Sequence, residues 1–270
     1  MAVAGRVALV TGASAGIGQA CAARLAASGW AVTGASRRGT GGSGWTGLVM
    51  DVDDTAAVQH GVADVIASSG RVDALVAAAG WGVAGAAEYT TVDEGKAQFE
   101  TNFWGCVRVV QAVLPHMREQ RSGRIVLISS IGGVIGIPFQ AYYSASKFAL
   151  EGFAESLAYE VAPFGIQVSL VQPGNIATDF TASRKLAAGG EGDSAYAAAM
   201  TRAVEVMERD EANGAPASQV AAVVERVLEA SRAPRRASVG KAGERAGLVA
   251  KRVLPFRVFQ AAAKGSLGVT

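Results

Sequence analysis

Short apolar runs alternate along this chain with longer stretches of helical periodicity. Val7-Ala8-Leu9-Val10 is one such run, and Ile125-Val126-Leu127-Ile128 is another. Runs of this kind read as strands near 6–10, 30–36, 47–51, 73–77, 124–130, 166–171 and 236–240. Between them the spacing predicts helices over about 16–28, 54–68, 92–119, 142–162 and 218–231. Pro163 and Gly165 stand where the fourth helix must stop, and Ser218 is placed to cap the fifth. Alternation of this sort builds βαβ units on a parallel sheet. Two segments fit neither pattern: the glycine-rich stretch 38–46, and 179–217, which lacks strand runs and carries Gly189-Gly190-Glu191-Gly192. Long irregular segments in compact domains tend to be lids or functional loops, so 179–217 is expected to cover a site.

The chain has 270 residues, which fits one domain, 1–270, with a substantial core. Half the residues are apolar and 18% are charged, a balance that excludes a disordered or fibrous chain. A net charge of +2 with scattered basic residues argues against a nucleic-acid partner. Cys21, Cys106, His60 and His116 are the only cysteines and histidines and have no ligand-like spacing, so no metal is expected. The cysteines read as small core residues in a reduced compartment. The first apolar run is too short for a signal-peptide core. No uncharged apolar stretch reaches the ~18 residues of a membrane span. The expectation is a cytoplasmic protein without a membrane span.

Three clusters carry candidate chemistry. Thr11-Gly12-Ala13-Ser14-Ala15-Gly16-Ile17-Gly18 follows the first strand and opens the first helix. There Gly12 permits a tight turn, while Gly16 and Gly18 let backbone and helix N-terminus approach a pyrophosphate. The second strand ends Ala35-Ser36-Arg37-Arg38, and no Asp or Glu precedes Asp51. A carboxylate at that strand end would favour NAD; two guanidinium forks instead suit a 2′-phosphate, with Arg37 first and Arg38 as helper. The third cluster is Ser129-Ser130 followed by Tyr142-Tyr143-Ser144-Ala145-Ser146-Lys147. Positions i and i+4 share a helix face, so Tyr143 and Lys147 become neighbours and Tyr142 points elsewhere. A cation beside a phenol lowers its pKa and suits it to acid/base work. Strand alternation sends the two serines to opposite faces, so only one can serve.

This order of motifs resembles the short-chain dehydrogenase/reductase family over essentially the whole chain, with 143–160 and Val239-Gly240 closest to its hydroxysteroid and retinol dehydrogenase branch. The resemblance implies an α/β fold: a single-domain, Rossmann-type, doubly wound parallel sheet of about seven strands with helices on both faces. It implies an NADP(H)-dependent oxidoreductase that interconverts a ketone and a secondary alcohol, with reduction the favoured direction. In that reading Asn102, Ser130, Tyr143 and Lys147 are the catalytic residues, Ser130 being preferred to Ser129 for its distance from the tyrosine. Asn102 would order a water that relays protons to Lys147. The cofactor would lie on Gly12, Ser14, Gly16, Ile17, Gly18, Ser36, Arg37, Arg38, Ala79, Gly80, Tyr143 and Lys147. Asp51-Val52 matches an adenine-contacting position and reads equally as a helix-start charge. Pro173-Gly174-Asn175-Ile176-Ala177-Thr178 matches the nicotinamide-holding segment through Pro173, Gly174, Ile176 and Thr178. Two departures stand out: Ala15 replaces a basic residue that marks NADP members, and Ala77-Ala78 replaces two asparagines that tie the central strand to its neighbours.

Trp81, Ile131, Phe139, Tyr142 and Phe180 flank the motifs and point to a lipophilic or aromatic carbonyl compound, although each reads equally as core. The tail, 241–270, interleaves basic and apolar residues and is expected to form helices beside the substrate pocket or a subunit interface. Assembly as a homodimer or homotetramer is expected from the family. A catalytically silent NADPH-binding regulator is the alternative; it would keep the glycine turn and lose the reacting side chains, and here all four are present.

Overall fold

The computed structural model describes residues 5–190 and 195–266. The chain runs β1 (Val7–Thr11), α1 (Gly16–Ala27), β2 (Ala31–Ser36), β3 (Trp45–Val49), α2 (Thr55–Ser69), β4 (Ala74–Ala77), β5 (Val83–Ala84) and α3 (Val92–Phe99). A widened turn over Glu100–Gly105 joins α3 to α4 (Cys106–Gln120), and β6 (Gly123–Ile128) and α5 (Ala141–Val161) follow. Then come β7 (Ile166–Pro173), β8 (Ile176–Ala177), α6 (Phe180–Ser183), β9 (Lys185–Leu186), α7 (Ala197–Ala212), β10 (Ala215–Pro216), α8 (Ala217–Glu229), β11 (Arg236–Val239), α9 (Ala242–Val253) and α10 (Phe256–Ser266).

Seven strands form one parallel sheet in the order β11-β7-β6-β4-β1-β2-β3. Both faces of its centre are covered, which is why β4 is apolar throughout and β1 is apolar up to Thr11. Successive residues of β1 alternate between the two cores. Val7 and Leu9 join the layer made by α2, α4 and α5, while Ala8 and Val10 join the layer made by α1 and α8. Asp73 braces one end of β1, accepting the Val7 N–H at 2.8 Å while Arg71 grips its carboxylate. The expected seven-stranded, doubly wound sheet is present.

Several boundaries differ from the sequence reading for physical reasons. β3 starts at Trp45 rather than near 47 because the indole packs on Gly34, where a Cβ would overlap it. β6 ends at Ile128, so both serines lie beyond the strand. The expected helix over 92–119 is interrupted at Glu100–Gly105. α8 begins directly after β10, so Ser218 sits inside its first turn and Pro216 holds the capping position. The segment 179–217 does contain strands: β9 pairs with β5, and β10 pairs with β8. It also holds the 16-residue α7. Two-residue strands leave no periodicity to read. Glu191 and Gly192 lie outside the described residues.

Gln98, fully buried, fixes the loop after β4: it accepts the Val83 N–H at 2.7 Å and donates to the Trp81 carbonyl at 2.5 Å. Gln98→Met keeps the volume and orphans that N–H. Urea unfolding is expected to show a loss of about 1–3 kcal/mol, the worth of one buried unsatisfied group; an unchanged midpoint would remove this role.

Candidate active site

Strand order reverses between β1 and β4, and ligands of open α/β sheets bind beyond the strand ends at such a point. Gly12, with φ of 69°, turns the chain there. A Cβ on it would lie 2.9 Å from the Ala78 carbonyl and the Ala79 backbone, and one on Gly18 would collide with the Gly12 carbonyl. These approaches require glycine. α1 begins without any side-chain cap, leaving its first N–H groups available to an anion. The Thr11 hydroxyl accepts the N–H groups of Ala78 and Ala79 at 3.1 and 3.3 Å. The tie between central strands therefore survives without asparagines at 77 and 78.

Arg37 and Arg38 both lie exposed at the end of β2, and Arg38 reaches back to the Ser14 carbonyl at 3.3 Å. Arg38 thus borders the glycine turn, with Arg37 exposed beside it. Ser36 is 8% exposed and its hydroxyl already accepts the Gly39 N–H, so it shapes the turn. Asp51 accepts the Asp53 N–H at 3.1 Å, whereas Asp54 caps α2; Val52 is buried against Gly105. An open cleft of about 450 Å³ adjoins Gly16 and Thr178 on the α1 side.

α5 carries Tyr143 and Lys147, both buried. The Lys147 ammonium donates to the Ile128 carbonyl at 2.9 Å and lies 5.9 Å from the Tyr143 ring centre. Burial pulls the ammonium down to about 8 from its ordinary 10.5. The phenol behaves differently from the simple expectation. Burial raises its pKa, and a hydrogen bond with Ser130 opposes that shift. In this arrangement removal from water outweighs the help of any cation.

Beyond β6 the two serines diverge. Ser130 accepts the Gly132 N–H at 3.0 Å and faces Tyr143; a Cβ on Gly132 would touch both side chains. The Ser129 hydroxyl turns toward Gly133 and has no hydrogen-bond partner among the described residues. Tyr142 packs its ring on Gly95, away from Lys147. Asn102, only 1% exposed, sits in the widened turn, where its amide clasps the Trp81 N–H and carbonyl, each at 3.0 Å, and reaches Ser146 at 3.3 Å. A Cβ on Gly80 would lie 3.1 Å from Asn102 Oδ1 and 3.8 Å from Lys147 Nζ. The structure thus gathers Asn102, Ser130, Tyr143, Lys147 and Gly80 in one place.

The segment after β7 closes the site. Thr178 lies over Gly16, and its hydroxyl accepts the Phe180 N–H at 3.2 Å. The Phe180 ring then meets the Tyr143 ring edge-on, 5.8 Å between centres. Gly174 backs onto Glu244 of α9, which accepts the Asn175 N–H at 3.0 Å. Sequence reasoning missed Gln98, Gln140 and the Arg184–Glu211 pair, which join this neighbourhood from distant positions without a motif.

Comparison with known proteins agrees with this geometry. The short chain dehydrogenase family model matches residues 6–188. A 3-ketodihydrosphingosine reductase of Bacteroides thetaiotaomicron is 42% identical over 236 residues, 87% of this chain and 88% of that protein. The 17-beta-hydroxysteroid dehydrogenase type 1 of Mus musculus is 38% identical over 213 residues, 73% of this chain and 61% of that protein's length. The crystal structure of a short-chain dehydrogenase from Streptomyces avermitilis superposes with a TM-score of 0.83 at 34% identity, covering 98% of this chain and 99% of that one. The chain belongs to the short-chain dehydrogenases, nicotinamide-dependent oxidoreductases, with the pattern of their hydroxysteroid dehydrogenase-like branch.

Proposed function

We propose that this enzyme uses NADP(H) to interconvert a ketone and a secondary alcohol on a lipophilic small molecule, working mainly as a ketoreductase. The observation that carries the reading is the convergence of the Ser130 and Tyr143 side chains beside Gly132, with Lys147 buried on the same helix face, at the switch point of the sheet. The relatives named for a ketosphingoid and a steroid support a lipophilic substrate, as does the Phe180 ring against Tyr143. The uncapped start of α1 and the glycine approaches fit a dinucleotide, which supplies a hydride to the carbonyl carbon. Pro173, Gly174, Ile176 and Thr178 would border its nicotinamide end.

The protein's part is proton placement. Ser130 donates to the substrate oxygen, and Tyr143 passes its proton to that oxygen as negative charge develops. The O–H bond of the phenol breaks and the alcohol O–H forms. Burial keeps the phenol protonated through neutral pH, the state a donor needs for reduction. Lys147, titrating near 8, is poised to return a proton, with Asn102 completing the path. Segment 179–217 acts as the lid, Phe180 resting on the donor.

Four outcomes test this reading. Tyr143→Phe should retain the fold and NADPH affinity and lower turnover roughly 10²–10⁴-fold, while Tyr142→Phe changes it far less. In the parent enzyme reduction should hold through neutral pH and fall as pH passes about 8, where Lys147 loses its charge; equal turnover by Tyr143→Phe would end the mechanism. For the cofactor, Arg37→Asp should weaken NADPH and relatively favour NADH. Tighter NADH than NADPH binding by the parent, measured by calorimetry, would overturn the assignment. For the lid, amide hydrogen exchange over 179–217 should be fast in the free protein and slow with cofactor and substrate; protection that does not change on binding would rule it out.

A further inference from the structure

The lid carries a buried cation that the reaction does not use. The Arg184 side chain is 2% exposed, and its Nη2 pairs with Glu211 of α7. Its Nε and Nη1 have no hydrogen-bond partner among the described residues. Gln140, 4% exposed and preceding α5, likewise has an unpartnered Nε2. Buried polar groups in native proteins are nearly always paired, so three vacant donor atoms in one neighbourhood require an explanation.

Their shared location is fixed by backbone. Lys185 donates to the Gly82 carbonyl at 2.9 Å, which holds Arg184 beside the loop after β4. A Cβ on Gly82 would lie 3.1 Å from the Phe180 ring and 4.0 Å from Gln140 Nε2. Phe180 lies in turn on Tyr143. Phe139, at φ 58°, gives its carbonyl to the Gly85 N–H and so sets the entry of Gln140. The Tyr143 phenol feels the charges of both Glu211 and Arg184.

Resting on the reading of this site as a ketone reductase, we propose that Arg184 and Gln140 form a specificity subsite for a second, neutral oxygen acceptor on the substrate, a hydroxyl or carbonyl close to the reacting ketone. Neutrality follows from Glu211. It already balances the guanidinium, and the Thr181 hydroxyl also donates to it. A substrate carboxylate would add an uncompensated buried anion. The vacant groups are donors, so they need an acceptor.

The test uses a long-chain methyl ketone, its α-hydroxy analogue, its α-amino analogue and the α-keto acid of equal length, each with NADPH. The parent should favour the hydroxyketone over the methyl ketone by roughly tenfold or more in kcat/KM, the worth of a hydrogen bond to a charged group. It should disfavour the keto acid. Arg184→Met should bring the hydroxyketone-to-methyl-ketone ratio toward one, mostly through KM, and Arg184→Lys should recover part of it. The double variant Arg184→Met/Glu211→Gln, which leaves no carboxylate unpaired, should show the same collapse if the single variant folds poorly. A parent that reduces the ketones without discrimination overturns the subsite alone. Preference for the aminoketone assigns recognition to Glu211 and overturns the proposal, as does preference for the keto acid. A parent inert to all four overturns the underlying ketone-reduction reading instead.

Discussion

An ammonium buried without a counter-ion is the constraint on which this structure turns. Lys147 is 6% exposed and no carboxylate lies within ion-pairing distance of it among the described residues. Removing such a charge from water is expensive, and the group yields by titrating near 8. The fold answers with dipoles. The last carbonyl of β6, at Ile128, accepts from the ammonium, and the Asn102 amide stands on the far side of Gly80. Glu151, four residues along α5, is held by Arg236 and Gln172 and contributes only its field. A carboxylate directly on Lys147 would hold its proton more firmly.

This requirement explains features that seem unrelated. β6 stops at Ile128, and its last carbonyl accepts from Lys147. The chain then leaves the sheet, which frees Ser130 to face Tyr143. The interruption of the long helix at Glu100–Gly105 places Asn102 against Trp81 and Ser146 rather than in solvent, where an asparagine inside a regular helix would normally point. Gly80 leaves room for the two groups to face each other.

Much of this was legible in sequence, and the reasons differ between parts. Parallel strands buried on both faces are continuous apolar runs, so the sheet could be read almost strand by strand. Tyr143 and Lys147 are linked by helix spacing alone. The 92–119 helix looked unbroken because a widened turn keeps helical periodicity while shifting one residue's direction. Segment 179–217 looked irregular because β9 and β10 are too short to show alternation. Arg184 and Glu211 lie far apart in the chain and acquire meaning only when α6 and α7 fold together. The vacant N–H groups of Arg184 are a property of packing.

The tail shows how far the site extends. Glu244 is the only acid in 241–270. It accepts the Lys241 N–H at 2.8 Å at the start of α9 and the Asn175 N–H at 3.0 Å beyond β7. Glycine at 174 and 240 is what allows its carboxylate so close, since a Cβ at either position would overlap it. One carboxylate therefore anchors α9 to the segment that leads through Thr178 and Phe180 to the Tyr143 ring. α9 is thus braced against the same strap that touches the glycine turn and covers the Tyr143 ring. A change in how α9 packs would be felt first at Asn175 and next at Thr178 and Phe180.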